Sequence, residues 1–410
     1  MHRSAPEVTP PGDEPTTYTP TRRDYLILAV LWTVIFAVWS QFLIVTPLLS
    51  DIALTLDVSK GKLGWIVSGY ALALSVCTLV WGPVSDRIGR RRILLIGTGS
   101  MAVVLAAHWF ADSFTSLLIM RILAGSTAGM CAVGAVAYIG DHFPKSHRGW
   151  ATGWVLNGFA VGQVVGIPLG AFLASLLDYR IPFVFSGLIM VTAFALVLFL
   201  LPQPDVDREP RKLSRIVLDF RSMFSTPLYR ATIGIGVSVL ASMGLFVPFF
   251  AVWMGANLGH STQYTAWVFS LGGIATVLTA PRAGRLSDRI GRARIIFWGS
   301  FVAMGCMLAA PSAILWPPLV FAVFAVFMMG VASRAAGYRA FQMEVVDERL
   351  RGQFLSLCNS LEQLGFGLGS AAAGLIYASL GFTANCIAAA AVTCVILLLT
   401  RRYLWNVAKR

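Results

Sequence analysis

The sequence predicts an all-α membrane protein, with twelve transmembrane helices in two pseudo-symmetric six-helix bundles. Three observations carry that prediction. Of the 410 residues, 57% are hydrophobic and 12% charged, whereas about 25% are charged in a soluble domain. Apolar runs of about 20 residues, enough to cross a hydrocarbon core of roughly 30 Å, can be placed twelve times. A basic turn, Gly82-Pro83-Val84-Ser85-Asp86-Arg87-Ile88-Gly89-Arg90, returns as Gly284-Arg285-Leu286-Ser287-Asp288-Arg289-Ile290-Gly291-Arg292. A charge-dense turn between apolar runs is expected where the chain briefly leaves a membrane, and its recurrence marks two related halves.

Residues 1–24, with Pro6, Pro10, Pro11, Pro15 and Pro20 among polar neighbours, bury too little apolar surface to fold and are expected to form a tail. They contain no apolar core followed by a cleavage site, so no removable signal is expected. The spans are expected at 25–49, 61–81, 92–110, 113–140, 150–177 and 180–201 in a first bundle. Those of a second bundle over 228–400 are expected at 228–254, 262–283, 293–311, 314–340, 350–380 and 382–400. A short cytoplasmic tail follows at 401–410. With both termini in the cytoplasm, all of the 32 Lys and Arg residues except Lys60, Lys62, Arg121 and Arg180 fall in cytoplasmic segments or at cytoplasmic helix ends. That asymmetry is the positive-inside rule. It accounts for the net charge of +13 without nucleic acid, which needs a clustered basic face on a soluble domain.

Span 1 carries Trp39 and one strongly polar side chain, Gln41. Span 3 has His108 near its outer end, where a solvated or packed histidine is expected. Span 4 holds Arg121, roughly 12 Å deep by helical rise; a guanidinium there usually faces water or a partner. The acid ending span 4, Asp141, and the Arg148-Gly149 turn are matched by Glu344 and Arg351-Gly352 in the second half. Span 5 presents Gly158, Gly162, Gly166, Pro168 and Gly170, a small-residue row for close helix approach. Between the halves, residues 202–227 form a polar linker in which Leu213, Ile216, Val217, Phe220 and Phe224 recur beside basic residues, the pattern of an amphipathic helix on the membrane surface. Phe246 and Phe250 in span 7, with Phe324 and Met328 in span 10, make an apolar, polarizable stripe; with Gln41 and Trp39 it would line a cavity if it faces one. Arg334 and Arg339, further along span 10, read as anchors of its cytoplasmic end.

Glu362 is the one carboxylate expected deep in a span, roughly 16 Å from the cytoplasmic boundary. At that depth it must be protonated or paired with a cation, which makes it the candidate for proton coupling beside Arg121. Its alternative is a neutral, hydrogen-bonded tie between helices. Cys77, Cys131, Cys306, Cys358, Cys386 and Cys394 all fall inside spans without zinc-ligand spacing, so neither metal nor disulfide is expected.

The duplicated Gly-x-x-x-Asp-Arg-x-Gly-Arg turn, the twelve spans and the central linker together resemble the major facilitator superfamily over nearly the whole chain. The resemblance implies spans 1, 4, 7 and 10 around a central cavity, and alternating access by rocking of the bundles. It implies that Asp86 faces the start of span 11 and that Arg90 pairs with Asp141. By the repeat, Asp288, Arg292 and Glu344 form the counterpart, and Arg148 and Arg351 belong to the same conformational switch. Arg121-x-x-x-Gly125 looks like the span 4 motif of drug:proton antiporters, with Ala124 in place of a common glutamine. Span 5 looks like their Gly-x-x-x-Gly-Pro-x-x-Gly-Gly element, with Ile167 at the proline position, Pro168 one place late and Ala171 for the last glycine. Span 1 lacks the acid that many such exporters carry.

The function implied is proton-coupled efflux of small hydrophobic compounds or drugs by a secondary transporter of the cell membrane, a bacterial inner membrane. Uptake or exchange of a metabolite or organic anion, and lipid flipping, are the alternatives. Small-molecule substrates, protons and membrane lipids are the expected partners of a monomer without cofactors. No nucleophile, base and orienting group come together in the motifs, which argues against an enzyme.

Overall fold

A computed structural model describes residues 18–144, 146–176, 178–204, 222–258, 262–347 and 350–405. Among these the chain is helical: α1 Arg22–Thr55, α2 Lys60–Ile88, α3 Arg90–Ala107, α4 Phe114–His142, α5 Arg148–Val161, α6 Ile167–Leu176, α7 Ile181–Leu200, α8 Pro227–Leu258, α9 Thr262–Ile290, α10 Arg292–Ala309, α11 Pro317–Val345, α12 Arg351–Leu380 and α13 Phe382–Leu399. The fifth span is α5 and α6 joined by a π-helical turn, Gly162–Gly166; the other eleven helices are one span each. Only helices satisfy every backbone group inside lipid without help from neighbours.

Most helices outrun the apolar runs. α1 starts at Arg22 because Thr21 and Asp24 form a capping box, which satisfies orphan backbone donors of the first turn. α9 continues to Ile290, seven residues past its expected end, since charged residues remain helical beyond the apolar layer. The expected tail at 401 is corrected as well: Thr400–Leu404 continues the last span as a π turn. Most of the expected amphipathic linker helix lies outside the described residues.

The two repeated turns have one backbone geometry. Gly89 ends α2 with φ of 97°, and Gly291 ends α9 with φ of 98°. A side chain at such angles is strained, so glycine is required at both. The basic turns, the start of α1 and the end of α13 share one end of the molecule, called here the basic end.

The halves meet mainly along α2 and α12, which run antiparallel. A Cβ on Gly64 would lie 2.1 Å from the Ser370 carbonyl oxygen, and one on Gly374 would lie 2.6 Å from that of Gly61. Further toward the basic end, Ser75 Oγ donates to the Ser360 carbonyl at 2.8 Å, and Ser360 Oγ donates to that of Ser75 at 2.7 Å. Two turns beyond Ser75 the same register brings Gly82 toward Gly352, yet a Cβ on either would meet nothing within 4 Å. The seam is tightly packed at the far end, and at the basic end these two glycine positions are unpacked.

Candidate functional site

Glu362 lies on the inner side of α12, with 3% of its side-chain surface open. Arg339 of α11 grips it twice: Nη2 donates to Oε2 at 2.7 Å and Nη1 to Oε1 at 3.3 Å. Gln342, one turn on, donates its amide to Oε1 at 3.1 Å. Arg339 Nη1 also donates to Asn359 and Gln342 side-chain oxygens. The α8 backbone closes over this cluster, where a Cβ on Gly236 would meet the Tyr338 hydroxyl at 2.1 Å and Glu362 Oε1 at 2.8 Å. Glycine there is what lets α8 approach.

Arg339 keeps half of its side-chain surface open. The carboxylate is therefore dry while its partner reaches the opening. Chemically this is a charge-assisted, bidentate pair that a single proton on Glu362 would dismantle. Arg339 is not the end anchor its position implies, and it is the site residue that sequence reasoning missed.

Arg121, in α4 of the other half, is fully buried. Its Nη1 donates to Gln41 Oε1 at 2.9 Å, and its guanidinium sits 4.5 Å from the centre of the Tyr70 ring. Nη2 has no hydrogen-bond partner. Gln41, expected on a cavity wall, is instead buried as the partner of this guanidinium. Arg334 of α11 is likewise fully buried, with one long contact from Nη2 to the Val239 carbonyl at 3.4 Å. Neither arginine makes an ion pair among the described residues, and Arg121 and Glu362 occupy different halves.

The residues expected to form a conformational switch lie in two matching clusters at the basic end. Arg90 donates from Nε to Asp141 at 2.7 Å and also binds Asp86 and Ser85. Arg292 donates from Nη2 to Glu344 at 2.8 Å and also binds Asp288 and Ser287. The copies differ in burial: Asp141 has 5% of its side chain open, Glu344 55%. Asp86 is held inside its own turn by Arg90 and makes no ion pair with the start of α12 among the described residues. Arg148 donates to the Phe143 carbonyl at 3.0 Å, and Arg351 Nε has no hydrogen-bond partner.

The aromatic stripe is packed core in this arrangement. Phe250 stacks on Phe324 with ring centres 5.1 Å apart, Phe246 lies 5.3 Å from Phe250, and Met328 is buried. Trp39 meets Phe159 edge-on at 4.9 Å. The glycine row does form a seam, against α1: Cβ atoms on Gly158, Gly162, Gly166 and Gly170 would meet Trp32 or Phe36, Ser40, Ser40 and Ile44 within 3.0 Å. Pro168 lies just past the π turn, in the first residues of α6.

The description Major Facilitator Superfamily matches residues 31–252 and 232–410, nearly the whole chain. The chain belongs to the Major Facilitator Superfamily. Multidrug resistance protein MdtG of Rahnella sp. (strain Y9602) is 25% identical over 366 residues, covering 87% of this chain and 88% of the relative. MdtG of Escherichia coli (strain 55989 / EAEC) is 26% identical over 395 residues, covering 93% and 94%. A solved bacterial homolog of the human lysosomal transporter Spinster, in an inward-facing and unoccupied conformation, superposes with a TM-score of 0.72 at 18% identity, covering 96% of this chain and 98% of that one. This superfamily member is a multi-pass membrane transporter and not an enzyme.

Proposed function

We propose that this transporter works by alternating access and exports small hydrophobic compounds in exchange for protons, with Glu362 as the proton-binding group. The observation that carries the reading is the Arg339–Glu362 pair: a dry carboxylate held by a half-open guanidinium between two helices of one bundle. Ionised Glu362 ties α12 to α11. Protonated Glu362 loses the charge that holds the tie, so proton occupancy changes how the two helices are braced. Relatives named for multidrug resistance support export. Arg121 supplies a second fixed charge in the opposite bundle, and the Arg90 and Arg292 clusters brace the basic end between states. The basic end faces the cytoplasm of a bacterial inner membrane, by the positive-inside rule, and the protein acts as a monomer.

The test uses liposomes carrying the purified protein and an internal pH dye, with lipophilic cations, organic anions and sugars added singly. A lipophilic compound should trigger proton flux in the wild type and none in Glu362→Gln; equal flux in that variant overturns the proton assignment. A second reading, exchange or uptake of an organic anion, is favoured by Arg121 and Arg334, two buried guanidiniums with no ion pair among the described residues. It stands if anions alone trigger flux.

A further inference from the structure

At the basic end the starts of α1 and α3 and the end of α7 border an open groove of about 360 Å³, lined by Arg23, Arg91 and residues 198–203. Clefts that take small ligands run from roughly 300 to 1,000 Å³. Its chemistry is two-sided.

One wall is cationic. Arg91 is braced by the last turn of α7: Nη2 donates to the Leu198 carbonyl at 2.6 Å, and its backbone N–H donates to Gln203 Oε1 at 3.2 Å. The Leu198 carbonyl is among the last four of its helix, which lack intrahelical donors. Arg91 Nε is buried and has no hydrogen-bond partner. Arg23 is exposed beside it, and among the described residues no carboxylate lines the groove. Among the described residues the nearby acids are engaged elsewhere, Asp24 with Thr21 and His142, Asp141 with Arg90.

The other wall is apolar and points away from the protein. Phe199 is 79% exposed, and Leu198 and Leu200 are open beside it. Tyr138 donates to the Pro202 carbonyl at 2.8 Å and closes the inner side. Guanidiniums above an outward apolar surface, at the level where helices leave the membrane, match a molecule with an anionic head and hydrocarbon tails.

We propose that this groove binds the phosphate of an anionic phospholipid in the leaflet at the basic end, with its chains along Phe199. Basic pockets between helix ends capture such headgroups. The position joins the lipid to the switch, because Arg91 follows Arg90 directly and Gln203 lies against Gly89, whose Cβ would come within 2.6 Å of its side chain. The proposal is independent of cargo and of proton coupling.

Full-length protein in micelles containing equal phosphatidylglycerol and phosphatidylethanolamine is examined by native mass spectrometry for retained lipid. Wild type should retain phosphatidylglycerol preferentially. Each arginine should be worth about fivefold in retention, so Arg23→Ala weakens it and the Arg23→Ala/Arg91→Ala pair abolishes the preference. Arg23 makes no hydrogen bond that its loss would break among those described, which keeps that variant informative if the double one folds poorly. Arg92→Ala, removing the same charge one residue away, should behave as wild type. Equal retention of both lipids, or undiminished preference in Arg23→Ala and in the double variant, overturns the proposal. Displacement of phosphatidylglycerol by millimolar inorganic phosphate also overturns it, and makes the groove a site for free phosphate.

Discussion

Ser75 and Ser360 exchange hydrogen bonds across the two halves, each hydroxyl donating to the other residue's carbonyl, with the hydroxyl oxygens 3.3 Å apart. The clasp lies between the tightly packed Gly61–Gly64 stretch and the unpacked Gly82. If the halves rock as proposed, a contact there would change least.

The first prediction is a contrast between two cysteine pairs. A Ser75→Cys/Ser360→Cys disulfide should leave at least about half of transport, as a crosslink at a pivot spares the two-state motion. A Gly82→Cys/Gly352→Cys pair should oxidise only when the basic end closes, and then stop transport. Flux before and after reduction in liposomes checks both, and full inhibition by the serine-pair crosslink would move the pivot elsewhere.

At Gly64 the Ser370 carbonyl leaves no room for a side chain. Gly64→Val should push the halves apart at the far end. Overpacking typically costs about 1–3 kcal/mol, a shift of roughly 5- to 150-fold between states. Thiol labelling of Ser50→Cys, which borders Gly255 of α8 in the closed far end, should speed up accordingly, and an unchanged rate would argue against that closure.

The two switch clusters should differ in energy. Asp141→Asn removes the buried one of Arg90's two carboxylates and leaves it only Asp86, where breaking a buried pair costs up to about 3–5 kcal/mol. Glu344→Gln removes a pair open to solvent, worth about 0.2–1 kcal/mol. Thermal unfolding in detergent should show a large drop in Tm for the first and little for the second, and salt should weaken only the second pair.

Arg339→Gln leaves the Glu362 carboxylate buried without its cation and should destabilise the protein strongly. Adding Glu362→Gln should restore most of the lost Tm while transport stays unresponsive to a proton gradient. Additive losses in the double variant would show that the two side chains are not coupled.

The repeated turns, the placement of the spans and the Gly158–Gly170 row are legible in the sequence, because each depends on residues at fixed spacing along one helix or turn; the Arg90–Asp141 and Arg292–Glu344 pairs, which join two helices, come from the family resemblance and the repeat. The partner of Glu362 is less so. Arg339 lies six residues before the end of α11, about 9 Å deep by helical rise, and the extra reach of an arginine closes the gap to the deeper Glu362. Matching depths on neighbouring spans was the signal that would have found it. The aromatic stripe resists reading for another reason: large apolar rings such as Phe250 and Phe324, stacked as core here, suit a cavity wall equally well. Gln41 was visible as polar, but its engagement by Arg121 depends on how α1 and α4 are rotated against each other.

The backbone contact at Gly61, Gly64, Ser370 and Gly374 has a consequence for energy conversion. A carrier that admits protons to a buried carboxylate from one side short-circuits the membrane if water threads through to the other. Along this seam main chain meets main chain, and a hydrogen-bonded file of water has no lumen to occupy. If Glu362 takes up protons as proposed, the glycines that let the helices touch would act as electrical insulation, leaving no conductor along α2 and α12.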